Sequence, residues 1–516
     1  MAGLPGPSRK NFKADLELGP KPLLNQLTIG RSRTRASKDW LVLFHCLVLM
    51  LLVVLCLEIA DFSLQTVLLI AVICSLYVPM IWRLKELDLF EPLVFANLAL
   101  GVMFVAKPLY DAATGQSEVE YYGLVMAADF DYTLAIVLAG IIAFQIGYNS
   151  RLTVAVFAKY AKVPPSGNRG FRPTKAGQLG ILFAVIGLTL FALFAHDIGG
   201  LGALLSMAKG RGGSSDDSSF LSSNGYFSGG ILALIPASAL LFAAGLASKR
   251  VGWFIGSGLA AAIPCSFFLG RGDRSNFLPL LSIPMLWYMV RRRRPSVLIL
   301  TVFAALFISG INILHQTRTV DVYYARSDIE NAFLQPWNAA LDTLNGDVDM
   351  FECLASEVAI VPSVLDYQHG AIIKDLVVRA IPRPFWPGKP TEATDLVGQV
   401  LWPAYYAVAR AGPASSILGN LYADSGIVTV VLGMLLIGAG FRWFWLWYLK
   451  YRDCMAANLL YACTVPFVVI LLRGSFPGTF SLMLFGVGPV LVAHRVLTSD
   501  SGRLPPVERA HRGRGL

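Results

Sequence analysis

Charge is what this 516-residue sequence has least of. Asp, Glu, Lys and Arg make up 15% of it, against roughly 25% in an ordinary soluble domain. That deficit excludes a chain of independent soluble domains. Disulfides are excluded as a framework too. Of seven cysteines, Cys46, Cys56, Cys74, Cys265 and Cys463 sit within apolar runs, where a thiol is a small hydrophobe, and only Cys353 and Cys454 lie outside them. No zinc-type Cys/His spacing and no aromatic-basic RNA motif is present. The net charge of +10 therefore fits contact with anionic lipid headgroups rather than nucleic acid. No internal repeat is visible, which argues against an inverted-repeat transporter. No cleavable signal is expected, because residues 1–39 are polar and precede the first apolar run.

What is present is apolar length. Hydrophobic residues make up 55% of the chain, in runs near 20 residues, as bilayer-crossing helices require. Residues 1–39, basic and rich in Pro and Gly, read as a flexible cytoplasmic tail. Spans one to nine are expected within 40–314, an extracytoplasmic loop over 315–413, spans ten to twelve within 414–496, and a second basic tail over 497–516. Lys and Arg clusters at 83–85, 151–175, 249–250, 291–294 and 450–452 fall in alternate turns, all on the cytoplasmic side, and place both termini inside by the positive-inside rule. The fold class expected is an all-α polytopic membrane protein of about twelve spans.

A loop of about a hundred residues without function is unusual. Asp349 to Val361 reads as a short amphipathic helix, with Phe351, Leu354, Val358 and Val361 on one face and Asp349, Glu352 and Ser356 on the other. Pro362 ends it. Ile-Pro-Arg-Pro-Phe-Trp-Pro-Gly-Lys-Pro (381–390) cannot be regular helix. It reads as a rigid elbow whose Phe385 and Trp386 suit the membrane interface.

Against the positive-inside pattern, Arg211, Arg271, Arg274, Arg318, Arg326, Arg379, Arg383, Arg410 and Arg473 fall on the outer side. Guanidinium forks match phosphate oxygens bidentately, so an anionic ligand such as a lipid-linked diphosphate is the natural expectation. Arg271 and Arg274 are three apart on one helical face, although Asp273 between them could pair with either. Arg473 at a helix end also complements the macrodipole. His315 and Arg318 share a face if span nine continues, and Arg326 follows them. Arg379 and Arg383 straddle Pro382. Arg211 and Arg410 read as ordinary loop charges. A general base must be a carboxylate or imidazole near the acceptor hydroxyl. Glu352, His369 and His315 are the candidates, with Glu357 and Asp366 also in reach. Asp349-x-x-Glu352 equally resembles a capping box. No Asp-x-Asp opens an outer helix and no His/Glu metal spacing occurs. The expectation is chemistry without a metal or cofactor, arginines neutralising the charge.

Gly-Arg-Gly-Asp-Arg-Ser (270–275) at a span end, the long loop after span nine, the 381–390 elbow and Gly-Asn-Leu-Tyr-Ala-Asp-Ser-Gly (419–426) stand in an order that resembles the Wzy-type O-antigen polymerases and related repeat-unit polymerases. The resemblance covers about residues 180–490. It implies a multi-span glycosyltransferase of GT-C type, acting on undecaprenyl-diphosphate-linked repeat units at the outer face of the bacterial inner membrane. Its partners would be the lipid-linked glycan donor and acceptor, membrane lipids and a chain-length regulator. By motif position, diphosphate or glycan contact is implied for Arg271, Arg274 and Arg383, and for Arg318 and Arg473 after them. An O-antigen ligase-like enzyme shares the donor and is separated poorly by sequence. A flippase or transporter of lipid-linked sugar predicts charges deep within spans, whereas Glu58, Asp61 and Arg442 lie near span ends. A non-catalytic assembly partner predicts that the arginines are dispensable.

Overall fold

The structure, a computed structural model, describes residues 50, 63–83, 87–88, 90–114, 119–121, 124–126, 130–160, 171–200, 202, 225–271, 274–291, 350–379, 381, 386, 393–401, 403 and 415–499. In chain order its main helices are α1 (Leu64–Arg83), α2 (Pro92–Tyr110), α3 (Phe130–Asn149), α4 (Arg151–Tyr160), α5 (Pro173–Asp197), α6 (Gly225–Ser248), α7 (Val251–Arg271) and α8 (Leu278–Arg291). Then follow α9 (Met350–Ile360), α10 (Ala371–Arg379), α11 (Ala393–Leu401), α12 (Ile417–Ser425), α13 (Ile427–Tyr451), α14 (Met455–Arg473), α15 (Phe476–Gly486) and α16 (Gly488–Ser499).

Eight of these, α1 to α3, α5 to α7, α13 and α14, are long and apolar enough to cross a bilayer, and α15 with α16 makes a ninth, bent by 47°. The protein is thus a helical polytopic membrane protein. The expected spans two to seven, ten and eleven coincide with the eight, and the twelfth with the bent pair. Span eight is the shorter apolar α8. Spans one and nine lie outside the described residues but for Met50, as do the tails 1–39 and 500–516. Among the described residues one departure from all-helical structure occurs. Val119–Tyr121 pairs antiparallel with Leu124–Met126, Val119 opposite Met126. This is the acidic stretch between α2 and α3, where a non-helical backbone satisfies its polar groups by pairing.

Packing follows side-chain size. α3 and α13 run side by side in parallel, Gly140 against Val430 and Met434, and Gly438 against the Phe144 carbonyl. A Cβ at Gly147 would collide with the Leu435 carbonyl, and one at Gly438 with the Phe144 carbonyl. Small residues let membrane helices approach this closely. α5 and α6 pack antiparallel, Gly187 on Gly230 and Gly180 on Ala237. The largest buried cluster joins α1, α2, α3 and α13 to residues of α9 and α12, so the segment after span nine is packed into the same core as the spans.

The tenth span, expected to follow residue 413, is α13. The apolar run is broken ahead of it at Gly426, whose φ of 73° only glycine adopts cheaply. α12 on one side of the break is buried along most of its length, and α13 on the other is the span. The upper end of the bundle is defined here as the end at which α2 finishes and α3 begins. α9, α10 and α12 gather there.

Candidate functional site

At the upper end, α9 is held by an ion pair. Lys107 Nζ, at the upper part of α2, lies 2.8 Å from Glu352 Oε1, with side chains 3% and 15% exposed. The Lys107 ammonium also sits 5.5 Å from the centre of the Tyr110 ring, and Phe130 at the start of α3 stacks on Phe351 at 5.5 Å. The amphipathic reading of α9 is corrected here. Ser356, placed on the polar face, is fully buried, as is Glu357 next to it, because α12, α3 and the hairpin pack against the helix. One turn on from Glu352, the Glu357 carboxyl is pushed up to about 8 by burial, with hydrogen bonds to Ser415 and Cys353 working against the shift.

Beyond α9 the chain turns and lies against the end of α12. Gln368 N donates to the Ala423 carbonyl at 3.1 Å and His369 N to the Asp424 carbonyl at 2.8 Å. Tyr367 and Tyr422 meet edge to face at 6.2 Å. His369 Nδ1 lies 3.1 Å from Ser425 Oγ, and Ser425 Oγ donates its own proton to the Asp424 carbonyl at 2.7 Å. The contact with Ser425 anchors the ring through Nδ1 on an otherwise exposed side chain. α10 then starts with Ile372 N donating to Asp424 Oδ1 at 3.5 Å.

A cleft opens beside these groups, lined by Ile372, Asp375, Ser415, Asn420, Asp424 and Pro477 among others. Asp375, Asp424 and Asn420 are buried, and Asn420 Nδ2 donates to the Ser415 carbonyl and hydroxyl at 3.1 Å each. Pro477 belongs to α15, against which α10 packs. α15 is capped by Ser475, whose hydroxyl accepts from Gly478 N at 3.1 Å.

The arginines expected to bind an anion fall as follows. Arg473 is the last residue of α14, two residues before that cap, and is partly buried. Arg379 ends α10. Arg271 ends α7 and Arg274 opens the short helix Arg274–Phe277. Phe268 and Phe277, on either side of that pair, share a cluster with Leu482 and Phe485 of α15. Arg379 and Arg473 thus end helices that pack on α15, and the Arg271/Arg274 segment shares with α15 a cluster built on α6. Arg318, Arg326, Arg383 and His315 lie outside the described residues. Among the described residues, no group of three or more His, Cys, Asp and Glu is placed to hold a metal ion.

The family model of the O-antigen polysaccharide polymerase Wzy matches residues 41–498. The chain belongs to the Wzy family. No curated protein and no solved structure matches it. Wzy proteins are glycosyltransferase-type polymerases that act on lipid-linked oligosaccharide repeat units in membranes. Within this Wzy chain, sequence reasoning missed Lys107, Asp375 and Asp424. The signal for Lys107 was a lone cation just inside an apolar run, which is costly unless paired. The signal for Asp424 was an acid within a string already singled out, 419–426. Asp375 carried none, since its burial depends on which helix α10 packs against.

Proposed function

We propose that this protein joins undecaprenyl-diphosphate-linked repeat units at the outer face of the bacterial inner membrane. Twelve spans of GT-C-like arrangement and cytoplasmic termini belong to that reading, which makes the upper end the outer one. The growing glycan moves from its lipid diphosphate to a hydroxyl of the newly flipped unit. The bond from the anomeric carbon to the diphosphate oxygen breaks, the glycosidic bond forms, and undecaprenyl diphosphate leaves. The observation that carries the proposal is His369. Its ring is anchored through Nδ1 to Ser425, next to Asp424 of the cleft wall, at the bundle end where α9, α10 and α12 gather.

His369 Nε2 takes the acceptor hydroxyl proton. Arg271, Arg274, Arg379 and Arg473 meet the diphosphate as charge builds on it in the transition state. Arg318, Arg326 and Arg383 join them from the segments that flank α9 and α10. Arg473 is followed directly by the N-terminus of α15, and helix N-termini favour anions. Glu352, bound to Lys107, holds α9 in place, since a carboxylate paired with an ammonium is a weak base. His315 is the alternative base. The arginines carry the charge neutralisation without a metal, and a chain-length regulator is the expected protein partner.

The test is the lipid-linked glycan of a strain lacking the protein. Accumulation of single repeat units is the expected result. Long unattached chains would instead point to a ligase, and loss of all outer-face units to a flippase.

A further inference from the structure

Glu357 is a carboxyl that the proposed chemistry does not use, and its surroundings are unusual. It is fully buried in α9. Oε1 accepts only the weak thiol donor Cys353 Sγ at 3.8 Å. Oε2 makes no well-formed hydrogen bond and lies against Gly419 of α12, close enough that a Cβ there would collide with it. The Ser415 hydroxyl is beside that same point. Ser415 in turn accepts from Asn420, and both line the cleft.

A buried carboxylate needs a cation or several strong donors. Among the described residues no cation reaches it, and Ser415 and Cys353 are its hydrogen-bond partners. The ammonium on the neighbouring element, Lys107, is bound to Glu352. The other titratable residues on elements packed against α9 are Asp131 and Tyr132 of α3, Glu120 and Tyr121 of the hairpin, and Tyr422 and Asp424 of α12; α9 itself adds Glu352 and Cys353. None is a cation. An uncharged acid suits the site better, because its O–H can donate to Ser415.

We propose that Glu357 is a positioning residue that works as a neutral carboxylic acid, holding Ser415 and through it Asn420 at the wall of the Asp375/Asp424 cleft. Ionisation puts an uncompensated charge against Gly419 and disturbs that wall. The proposal rests on the cleft being where polymerisation takes place. The pKa near 8 sets where ionisation begins.

The test uses the purified full chain in vesicles with lipid-linked repeat units, with wild type, Glu357→Gln and Glu357→Ala compared across pH. Gln is neutral and keeps a donor. Polymer synthesis by wild type is expected to fall about tenfold per pH unit once pH passes the carboxyl's own value. Glu357→Gln should stay active and lose that alkaline limb, and Glu357→Ala should lose at least about tenfold at every pH. A Gln variant as inactive as the Ala variant, or one that keeps the alkaline limb, would overturn the proposal. A readout independent of polymerisation is the infrared carbonyl band of a protonated carboxyl. It should be present in wild type, absent in Glu357→Gln, and titrate away near pH 8. Absence of the band in wild type at neutral pH also overturns the proposal. If the band titrates as expected but wild type makes no polymer at any pH, the polymerase reading fails and the neutral acid stands.

Discussion

At the scale of single residues, the balance between burial and pairing decides what each ionisable group does. Glu352 and Glu357 are five residues apart on one helix and have opposite fates. The first meets Lys107 at 2.8 Å, and the second meets a glycine, a serine and a thiol. The consequence for stability has a definite sign. The Glu357 carboxyl is raised from 4.5 to about 8, so the folded state keeps a proton that the unfolded chain loses. Its contribution is fully present below about pH 4.5 and is lost as pH rises through 8, by up to about 1.4 kcal/mol per unit. Thermal unfolding in detergent should show the wild-type midpoint falling across that window and Glu357→Gln holding flatter. Equal slopes in the two proteins would refute this. For catalysis, His369→Ala should lower polymer synthesis by about a hundredfold or more, the usual contribution of a positioned base. Arg271→Ala, Arg274→Ala and Arg383→Ala should each abolish long-chain glycan with protein level kept. Normal chain lengths in all of these arginine variants would remove the diphosphate assignment.

At the scale of elements, two kinds of contact hold the helices in register. One is close approach, as where Gly147 and Gly438 bring α3 and α13 backbone to backbone. Gly438→Val should force the pair apart at a cost of about 1–3 kcal/mol or more, read as a lowered unfolding midpoint and reduced yield. The other is polar. At the lower end, Glu91 is fully buried, and its Oε1 accepts from Arg83 at 2.7 Å, from Arg442 at 3.4 Å and from the Tyr148 hydroxyl at 2.7 Å. One carboxylate oxygen thereby ties α1, α2, α3 and α13 together, with both guanidinium groups 5.5 Å from the Tyr148 ring centre. Removing one partner of a buried pair costs about 3–5 kcal/mol. Glu91→Ala should therefore unfold in detergent well below wild type, while a Leu substitution at exposed Ile142 should not. Arg442 read from sequence as a charge near a span end. Its partner was invisible, because Glu91 lies 351 positions away.

At the scale of the whole molecule, the claim to test is orientation. If the upper end is the outer one, a cysteine placed at exposed Asp366 will react with a membrane-impermeant thiol reagent added to intact cells. One placed at Arg452 will react only after the membrane is opened. The reverse labelling would invert the proposed topology and move the chemistry to the cytoplasmic side.

Hydropathy and loop charge made the helical, many-span class legible, since a bilayer-crossing helix must carry its apolar length within one continuous stretch. The motif order in 270–275, 381–390 and 419–426 made the family legible as well. The same logic placed span ten but not the separate helix ahead of it. An apolar run records length but not the left-handed glycine at 426 that turns its first part into a separate helix. It also misread the polar face of α9, because periodicity shows which residues differ, not how many neighbours will cover them. Sequence alone left His369, Glu352 and the loop arginines as single residues, each with a chemistry and no partner. Only tertiary structure supplied the partners, Ser425 for His369, Lys107 for Glu352, and Gly419 with Ser415 for Glu357. Composition and pattern are fixed by what one segment needs from its solvent. An ion pair, a histidine's hydrogen-bond partner or the burial of an acid is fixed by what a distant segment brings within a few ångströms.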